Sequence, residues 1–215
     1  MSSADRRDFL PAAGHDLFLP LYDPLVRFLG FDRSRQELIS QANVKPDHQI
    51  LDIGCGTGTF VVLLKRQFPA VQVIGLDPDP KALRRAQNKV ARAAVSVQLD
   101  QGFADQLPYQ TGSFDRVFSS FVFHHLEESE KEKTLNEVSR VLKRGGSFHL
   151  LDFTADHGSH GFLSRIFHSH ARMKDNTDER LLQLMGHAGL KHAEKVKGDS
   201  MFFGLTQTAY YRAQA

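Results

Sequence analysis

The chain has 215 residues, of which 41% are hydrophobic and 24% charged, a composition typical of a globular domain that can bury a full core. Its 27 basic residues nearly balance its 25 acidic ones, so bulk charge gives no reason to expect a nucleic acid or an anionic membrane as partner. A single cysteine, Cys55, excludes an internal disulfide and a cysteine-based metal site. We find no apolar run long enough for a membrane span and no signal peptide, and we expect a cytoplasmic protein.

Apolar periodicity predicts one helix after Pro20 and a second from Asp32 or Ser34 to about Ala42. From residue 49 onward, strands alternate with helices. The predicted strands are 49–53, 71–76, 95–99, 116–120, 147–152, 191–197 and 201–211, and the later helices cover about 79–92, 129–142 and 178–188. This alternation indicates an α/β fold with a mostly parallel sheet and helices on both faces. The short connection Gly198-Asp199 predicts a hairpin, so the last strand runs antiparallel.

The first strand leads into the turn Gly54-Cys55-Gly56-Thr57-Gly58 and then into a helix. Asp77 ends the second strand, 23 residues after Gly54. Parallel strand ends lie side by side, so this carboxylate can accept hydrogen bonds from ribose hydroxyls. A plain turn, a dinucleotide site and an adenosyl site are all compatible with such a loop. The third glycine comes one residue too early for the dinucleotide pattern, because position 59 is threonine.

Residues 50–58 resemble motif I of the class I S-adenosylmethionine-dependent methyltransferases. Four later segments are similar to further motifs of that family, in the same order: 73–77, 102–109, 114–120 and 141–146. The subgroup that the chain resembles comprises the quinone-biosynthesis C-methyltransferases and related small-molecule methyltransferases. The resemblance implies a Rossmann-like seven-stranded sheet in residues 46–215, with N-terminal helices in 1–45 covering the cofactor site.

The resemblance also implies which residues bind S-adenosylmethionine. They are Asp52, Gly54, Gly56, Thr57, Gly58, Asp77, Pro78, Phe103, Ala104 and Ser120. The glycine loop lines the methionine part, with Asp52 holding the loop or, through water, the amine. Asp77 binds the ribose, Pro78 and the backbone of Phe103 and Ala104 lie near the adenine, and Ser120 lies beneath the sulfonium. Many relatives carry aspartate at the position of Phe103, so the contact to the adenine amine is left to Asp105, water or stacking.

Candidate catalytic residues follow the fourth and fifth strands, because ligands of such sheets lie beyond the carboxyl edge. His124 and His125 follow the fourth strand, and an imidazole pKa of about 6.5 suits a general base, although either ring can also cap or pack the turn. Asp152 closes the fifth strand and either orients a substrate or caps a loop. Tyr22 is a candidate to fold over the cofactor, as an N-terminal tyrosine does in some relatives, or else packs at the surface.

Four histidines, at 157, 160, 168 and 170, lie among apolar residues after Asp152. No carboxylate or cysteine has a convincing ligand spacing to them, so we predict a lid at about 153–177 and no metal site. Its apolar side chains predict a small, partly hydrophobic acceptor. The expected reaction is methyl transfer from S-adenosylmethionine to this acceptor, releasing S-adenosylhomocysteine.

Other functions remain open at this point. A non-catalytic adenosyl-binding partner protein and a methyltransferase acting on a macromolecule both fit the motifs, and a nicotinamide oxidoreductase fits less well. No N-P-P-[YF] sequence follows the fourth strand, as methylation of base or glutamine amide nitrogens would require. No basic stripe or aromatic platform indicates an RNA substrate.

Overall fold

The computed structural model describes residues 31–154, 176–201 and 206–215. The helix predicted after Pro20, Tyr22 and residues 155–175 of the predicted lid lie outside the described residues. In chain order the elements are α1 (Phe31–Ser40), β1 (Gln49–Ile53), α2 (Thr59–Gln67), β2 (Gln72–Asp77), α3 (Pro80–Arg92), β3 (Gln98–Gln101), β4 (Phe114–Ser120), a short 3₁₀ helix (Phe123–His125), α4 (Glu128–Val141), β5 (Leu142–Phe153), α5 (Asp178–His187), β6 (Lys191–Met201) and β7 (Thr206–Gln214).

The seven strands form one sheet in the order β3-β2-β1-β4-β5-β7-β6. Strands β1 to β5 pair in parallel, and β7 lies antiparallel between β5 and β6. The predicted α/β fold with an antiparallel last strand is therefore confirmed. The chain order reverses between β1 and β4, which are neighbours, so the crevice at their carboxyl ends is where this architecture places ligands.

Apolar side chains cover both faces of the sheet. On one face, α1, α2 and α3 pack through residues such as Leu38, Leu64 and Leu83. On the other, α4 and α5 pack through residues such as Leu135 and Leu184. A parallel sheet covered on both faces leaves its central strands little exposed, and no residue of β1 or β4 is exposed.

The hairpin connection was predicted wrongly. Strand β6 continues through Gly198 and Asp199, which pair with Ala209 and Thr208 of β7, so the connection lies between Met201 and Thr206. Glycine and aspartate mark a turn only where cross-strand pairing stops, and here the pairing continues past them.

Among the starts of the first five strands, those of β3 and β5 differ most from the prediction. Strand β3 begins at Gln98 rather than Val95, because pairing with β2 starts only at the Ile74–Gln98 pair. Strand β5 begins at Leu142, which pairs with Phe114, so it includes the glycine pair expected to end the helix before it. A Cβ on Gly146 would lie 2.9 Å from the carbonyl oxygen of Lys143, which explains the need for glycine there.

Candidate active site

The glycine loop turns sharply at the carboxyl end of β1. Gly54, Gly56 and Gly58 have φ angles of 71°, 52° and 78°, a left-handed conformation that favours glycine. The N–H groups of Gly54 and Cys55 donate to the carbonyl oxygen of Leu76, at 2.8 and 3.0 Å. These bonds hold the loop against the end of β2.

The three glycines are needed for different reasons. A Cβ on Gly54 would collide with Cγ2 of Val122, and one on Gly58 would lie 2.8 Å from Cβ of Ala86. A Cβ on Gly56 would meet nothing within 4 Å. Gly54 and Gly58 therefore allow close packing inside the protein, whereas Gly56 borders open space in front of the loop.

Asp77 lies beside that open space and is only 8% exposed. Its Oδ2 accepts a hydrogen bond from the N–H of Gly56 (2.8 Å), and its Oδ1 accepts one from the N–H of Asp79 (2.9 Å). Burial raises the pKa of Asp77, and the two backbone hydrogen bonds oppose that rise. Each carboxylate oxygen keeps a second lone pair that can accept from a ligand hydroxyl.

The predicted adenine segment lies next to Asp77. The N–H of Gly102 donates to the carbonyl oxygen of Asp77 (3.2 Å), and the side chain of Gln101 donates to that of Pro78 (3.2 Å). These contacts place Phe103 and Ala104, both half-buried, directly after the residue that touches Asp77. The residues predicted for ribose and adenine are thus brought together at one edge of the sheet.

The hydrogen bonds of the loop decide between the two nucleotide-like interpretations. A phosphate-binding loop points its backbone N–H groups at the phosphate. Here the N–H of Gly56 donates to the Asp77 carboxylate, and the N–H of Gly58 donates to the carbonyl oxygen of Cys55 (2.9 Å). A negative group already occupies the donor that a pyrophosphate would need, so the loop fits an adenosyl ligand better than a dinucleotide.

Asp52, on β1 below the loop, is 1% exposed, and neither of its carboxylate oxygens has a hydrogen-bond partner among the described residues. Burial raises the pKa of Asp52 well above its usual range, and the charge of Arg35 is the strongest influence in the opposite direction. A buried carboxylate without partners is costly, so this position is built to be completed by a ligand or by water.

Arg35, on α1, is a site residue that the sequence interpretation missed. Its side chain is 11% exposed, and within the described part of the chain Nε and Nη1 have no hydrogen-bond partner, with Asp32 the neighbouring carboxylate at 3.5 Å. The guanidinium lies 5.9 Å from the ring centroids of Phe31 and Phe121. A signal was available, because Arg35 lies four residues after Phe31 and three before Leu38, both buried, on the apolar stripe of the helix.

Arg35 and Asp52 together fit an α-amino acid group. The guanidinium can bind its carboxylate and Asp52 its ammonium, which would satisfy both buried charges at once. With the open space at Gly56 and the Asp77 carboxylate beside it, the residues present fit S-adenosylmethionine. Thr57 was also predicted to bind the cofactor, and its hydroxyl accepts a hydrogen bond from Nζ of Lys89 on α3 (3.0 Å).

Ser120 ends β4, and Phe121 follows it directly. Ser120 is 9% exposed, and the N–H of Phe121 donates to the carbonyl oxygen of Leu151 (2.8 Å). Phe121 has a φ of 61°, an uncommon conformation for a residue with a Cβ. Such backbone strain concentrates at binding sites, and this residue lies between β1 and β5 at the crevice.

His124 and Asp152 form a hydrogen-bonded pair. Nδ1 of His124 lies 2.6 Å from Oδ1 of Asp152, and the backbone N–H of His124 donates to Oδ2 (3.2 Å). Asp152 is fully buried, and its Oδ1 also accepts from the N–H of Phe153 (2.7 Å). The ring of His125 lies 3.9 Å from that of His124, centroid to centroid.

Three phenylalanine rings connect the two halves of the site, and we call them the aromatic wall: Phe31, Phe121 and Phe153. The centroid distance is 4.6 Å between Phe31 and Phe121 and 5.1 Å between Phe121 and Phe153. Phe153 lies edge-on to His124 at 5.0 Å. The wall therefore runs from Arg35 to His124.

In residues 31–154, 176–201 and 206–215, no group of three or more His, Cys, Asp or Glu side chains could hold a metal ion. The four histidines between 157 and 170 lie outside these ranges. In the same ranges no helix is long and apolar enough to cross a membrane.

Comparison with known proteins agrees with this geometry. A family described as a methyltransferase domain matches residues 50–146. A demethylmenaquinone methyltransferase of Deinococcus radiodurans is 34% identical over 155 residues, covering 70% of this chain and 64% of that protein. The enzyme of the same name from Thermus thermophilus is 34% identical over 152 residues, covering 69% of this chain and 68% of that protein.

The fold is shared with solved structures. The YcgJ protein of Bacillus subtilis superposes with a TM-score of 0.71 at 20% identity, covering 85% of this chain and 98% of that one. A methyltransferase-domain match, relatives at 34% identity and the common fold lead to one conclusion. The chain belongs to the S-adenosylmethionine-dependent methyltransferases.

Proposed function

We propose that this chain transfers a methyl group from S-adenosylmethionine to a small quinol-type acceptor and releases S-adenosylhomocysteine. The observation that carries the proposal is the open space at Gly56 with the Asp77 carboxylate beside it. Asp52, two residues before the glycine loop, and Arg35, whose charge acts on Asp52, have buried side-chain atoms that are incompletely hydrogen-bonded. When bound, S-adenosylmethionine supplies a methyl group that is already activated by its positive sulfur. The protein has to position the acceptor and manage its proton.

In this proposal each part of the ligand meets a different group. Asp77 accepts from the ribose hydroxyls, Arg35 binds the carboxylate and Asp52 binds the ammonium. The backbone of Gly54, Gly56, Thr57 and Gly58 lines the methionine part, Pro78, Phe103 and Ala104 border the adenine, and Ser120 lies near the sulfonium. Because residue 103 is phenylalanine, the contact to the adenine amine is left to Asp105, water or stacking.

The aromatic wall supports a planar, apolar acceptor. Phe121 and Phe153 offer ring faces and edges against which an aromatic acceptor can pack, while the imidazole of His124 supplies a polar group at one end. The names of the relatives, demethylmenaquinone methyltransferases, favour a reduced quinone of this kind. Coverage of the cofactor by Tyr22, a lid at about 153–177, absence of a nucleic-acid partner and a cytoplasmic location stay predictions of the sequence.

The test combines binding with a transfer assay. Calorimetry should show that the protein binds S-adenosylmethionine and S-adenosylhomocysteine, and labelled methyl should pass to a prenylated 1,4-naphthohydroquinone rather than to total protein or RNA. Failure of the folded protein to bind either adenosyl ligand would overturn the proposal. Binding without transfer to any acceptor would indicate a non-catalytic partner protein, and transfer to protein or RNA would indicate a macromolecular substrate.

A further inference from the structure

We propose that His124 is the base that takes a hydroxyl proton from the acceptor, and that Asp152 is the residue that positions it. The inference rests on the proposed function, because it assigns a proton acceptor to the same site. It also assigns the role of base to His124 and not to His125, a choice that the sequence alone does not make.

Asp152 holds His124 at two points. One carboxylate oxygen accepts from the backbone N–H of His124 and the other lies 2.6 Å from ring atom Nδ1. The carboxylate is itself fixed, because it is fully buried and bonded to the N–H of Phe153. Rotation of the imidazole would break one of the two hydrogen bonds to Oδ1 of this buried carboxylate, which is costly.

The same contact fixes the proton on the ring. A carboxylate accepts hydrogen bonds only, so Nδ1 of a neutral imidazole in this position carries the hydrogen. Nε2 then carries the lone pair, and it has no hydrogen-bond partner among the described residues. An imidazole oriented by a carboxylate, with the free nitrogen turned to substrate, is the arrangement of a general base.

The location matches the role. His124 follows β4 and Asp152 ends β5, so the pair lies at the carboxyl edge of neighbouring strands. Phe153 of the aromatic wall lies edge-on to the His124 ring at 5.0 Å, so an acceptor packed against the wall reaches the imidazole. In the described part of the chain, ionisable groups near the pair include His125, in contact with the ring, and Tyr211 of β7, whose pKa Asp152 influences.

The proton and electron balance is simple. Nε2 accepts the proton of the acceptor hydroxyl, leaving an oxyanion. Its electron pair, on oxygen or on a conjugated ring carbon, forms the bond to the methyl carbon as the carbon–sulfur bond breaks and sulfur keeps that bonding pair. When a carbon of the acceptor is methylated, the hydrogen on that carbon moves as a proton to the oxygen, which restores the aromatic ring of the acceptor. His124 then releases its proton to solvent.

The first test is kinetic, with the reduced prenylated naphthoquinone as acceptor. His124→Gln should lower kcat at least about 100-fold, the usual contribution of a positioned base, while the affinity for S-adenosylhomocysteine stays within about twofold. His125→Gln is the matched control and should change kcat less than about fivefold. Full activity of His124→Gln, or a larger loss in His125→Gln, would overturn the inference.

The second test needs no turnover. In ¹⁵N NMR of the ligand-free protein, His124 should show a protonated Nδ1 and an unprotonated Nε2. Asp152→Asn should favour the other tautomer and lower kcat, provided that its thermal unfolding shows a folded protein. If wild-type protein binds the adenosyl ligands but does not methylate the quinol, the proposed acceptor is wrong. The tautomer of His124 still tests whether Asp152 positions the imidazole. A wild-type His124 with hydrogen on Nε2 would refute it.

Discussion

Replacing Gly56 by alanine adds one methyl group on the open side of the glycine loop. No protein atom lies within 4 Å of the added carbon, so the change creates no clash within the protein. Its cost to folding is the left-handed backbone at φ 52°, about 1–2 kcal/mol for a residue with a Cβ. For a chain of this size, that lowers the melting temperature by roughly 2–8 °C.

Gly145 provides a matched control. It also has a positive φ, 79°, and a Cβ there would likewise meet nothing within 4 Å, but it lies at the start of β5, far along the strand from the site. Gly145→Ala should therefore lower the melting temperature about as much as Gly56→Ala. The two variants differ only in what lies in front of the added methyl.

Calorimetry with S-adenosylhomocysteine separates the two variants. The methyl of Gly56→Ala fills space that we assign to the ligand, so its Kd should rise at least about tenfold, or about 1.4 kcal/mol. Gly145→Ala should bind like the wild-type protein. Equal binding by both variants, with equal losses of melting temperature, would show that the ligand does not occupy the space at Gly56.

Three further predictions concern other parts of the molecule. Asp77→Ala should weaken S-adenosylhomocysteine binding by about 1–3 kcal/mol in calorimetry, because the ribose hydroxyls lose their acceptor, and an unchanged Kd would show that another group binds the ribose. Arg35→Met should weaken S-adenosylhomocysteine binding about tenfold or more but leave 5′-methylthioadenosine, which lacks the amino acid group, unaffected; equal losses for both ligands would contradict the assignment. Burial, reinforced by nearby arginines, lowers the pKa of His149 to about 3. The neutral ring therefore contributes stability above pH 6.5 that is lost as the pH falls towards 3. About 2 kcal/mol of this stability is lost by pH 5. Urea unfolding at pH 7 and pH 5 should show that the free energy of unfolding of His149→Gln loses this share of its pH dependence. His187→Gln, at an exposed position, should keep it. An unchanged pH dependence in His149→Gln would refute the role of His149.

The sequence by itself determined the fold and the general place of the site. Strand and helix periodicity is local, so the alternation after residue 49 predicts a parallel sheet, and the carboxyl edge of such a sheet is where ligands bind. For the same reason, the spacing between Gly54 and Asp77 predicts a carboxylate beside the glycine loop that can accept from ribose hydroxyls, and the resemblance of residues 50–58 and the later motifs implies the adenosyl ligand. The ends of the strands are harder to predict from sequence. The end of β6, for example, depends on its pairing with β7 and not on Gly198-Asp199.

The tertiary structure alone decided which side chains act together. Arg35 interacts with Asp52 from another element, and His124 bonds to Asp152 across 28 residues, so neither relation leaves a pattern in local periodicity. Packing also separated Gly56 from the other glycines of the loop, because only the position of Val122 and Ala86 shows which glycine faces open space. Local sequence indicates which elements form and how far apart residues lie along the chain. The position of the proton on His124, the unpaired groups of Asp52 and the open space at Gly56 depend on distant segments that meet in the folded chain.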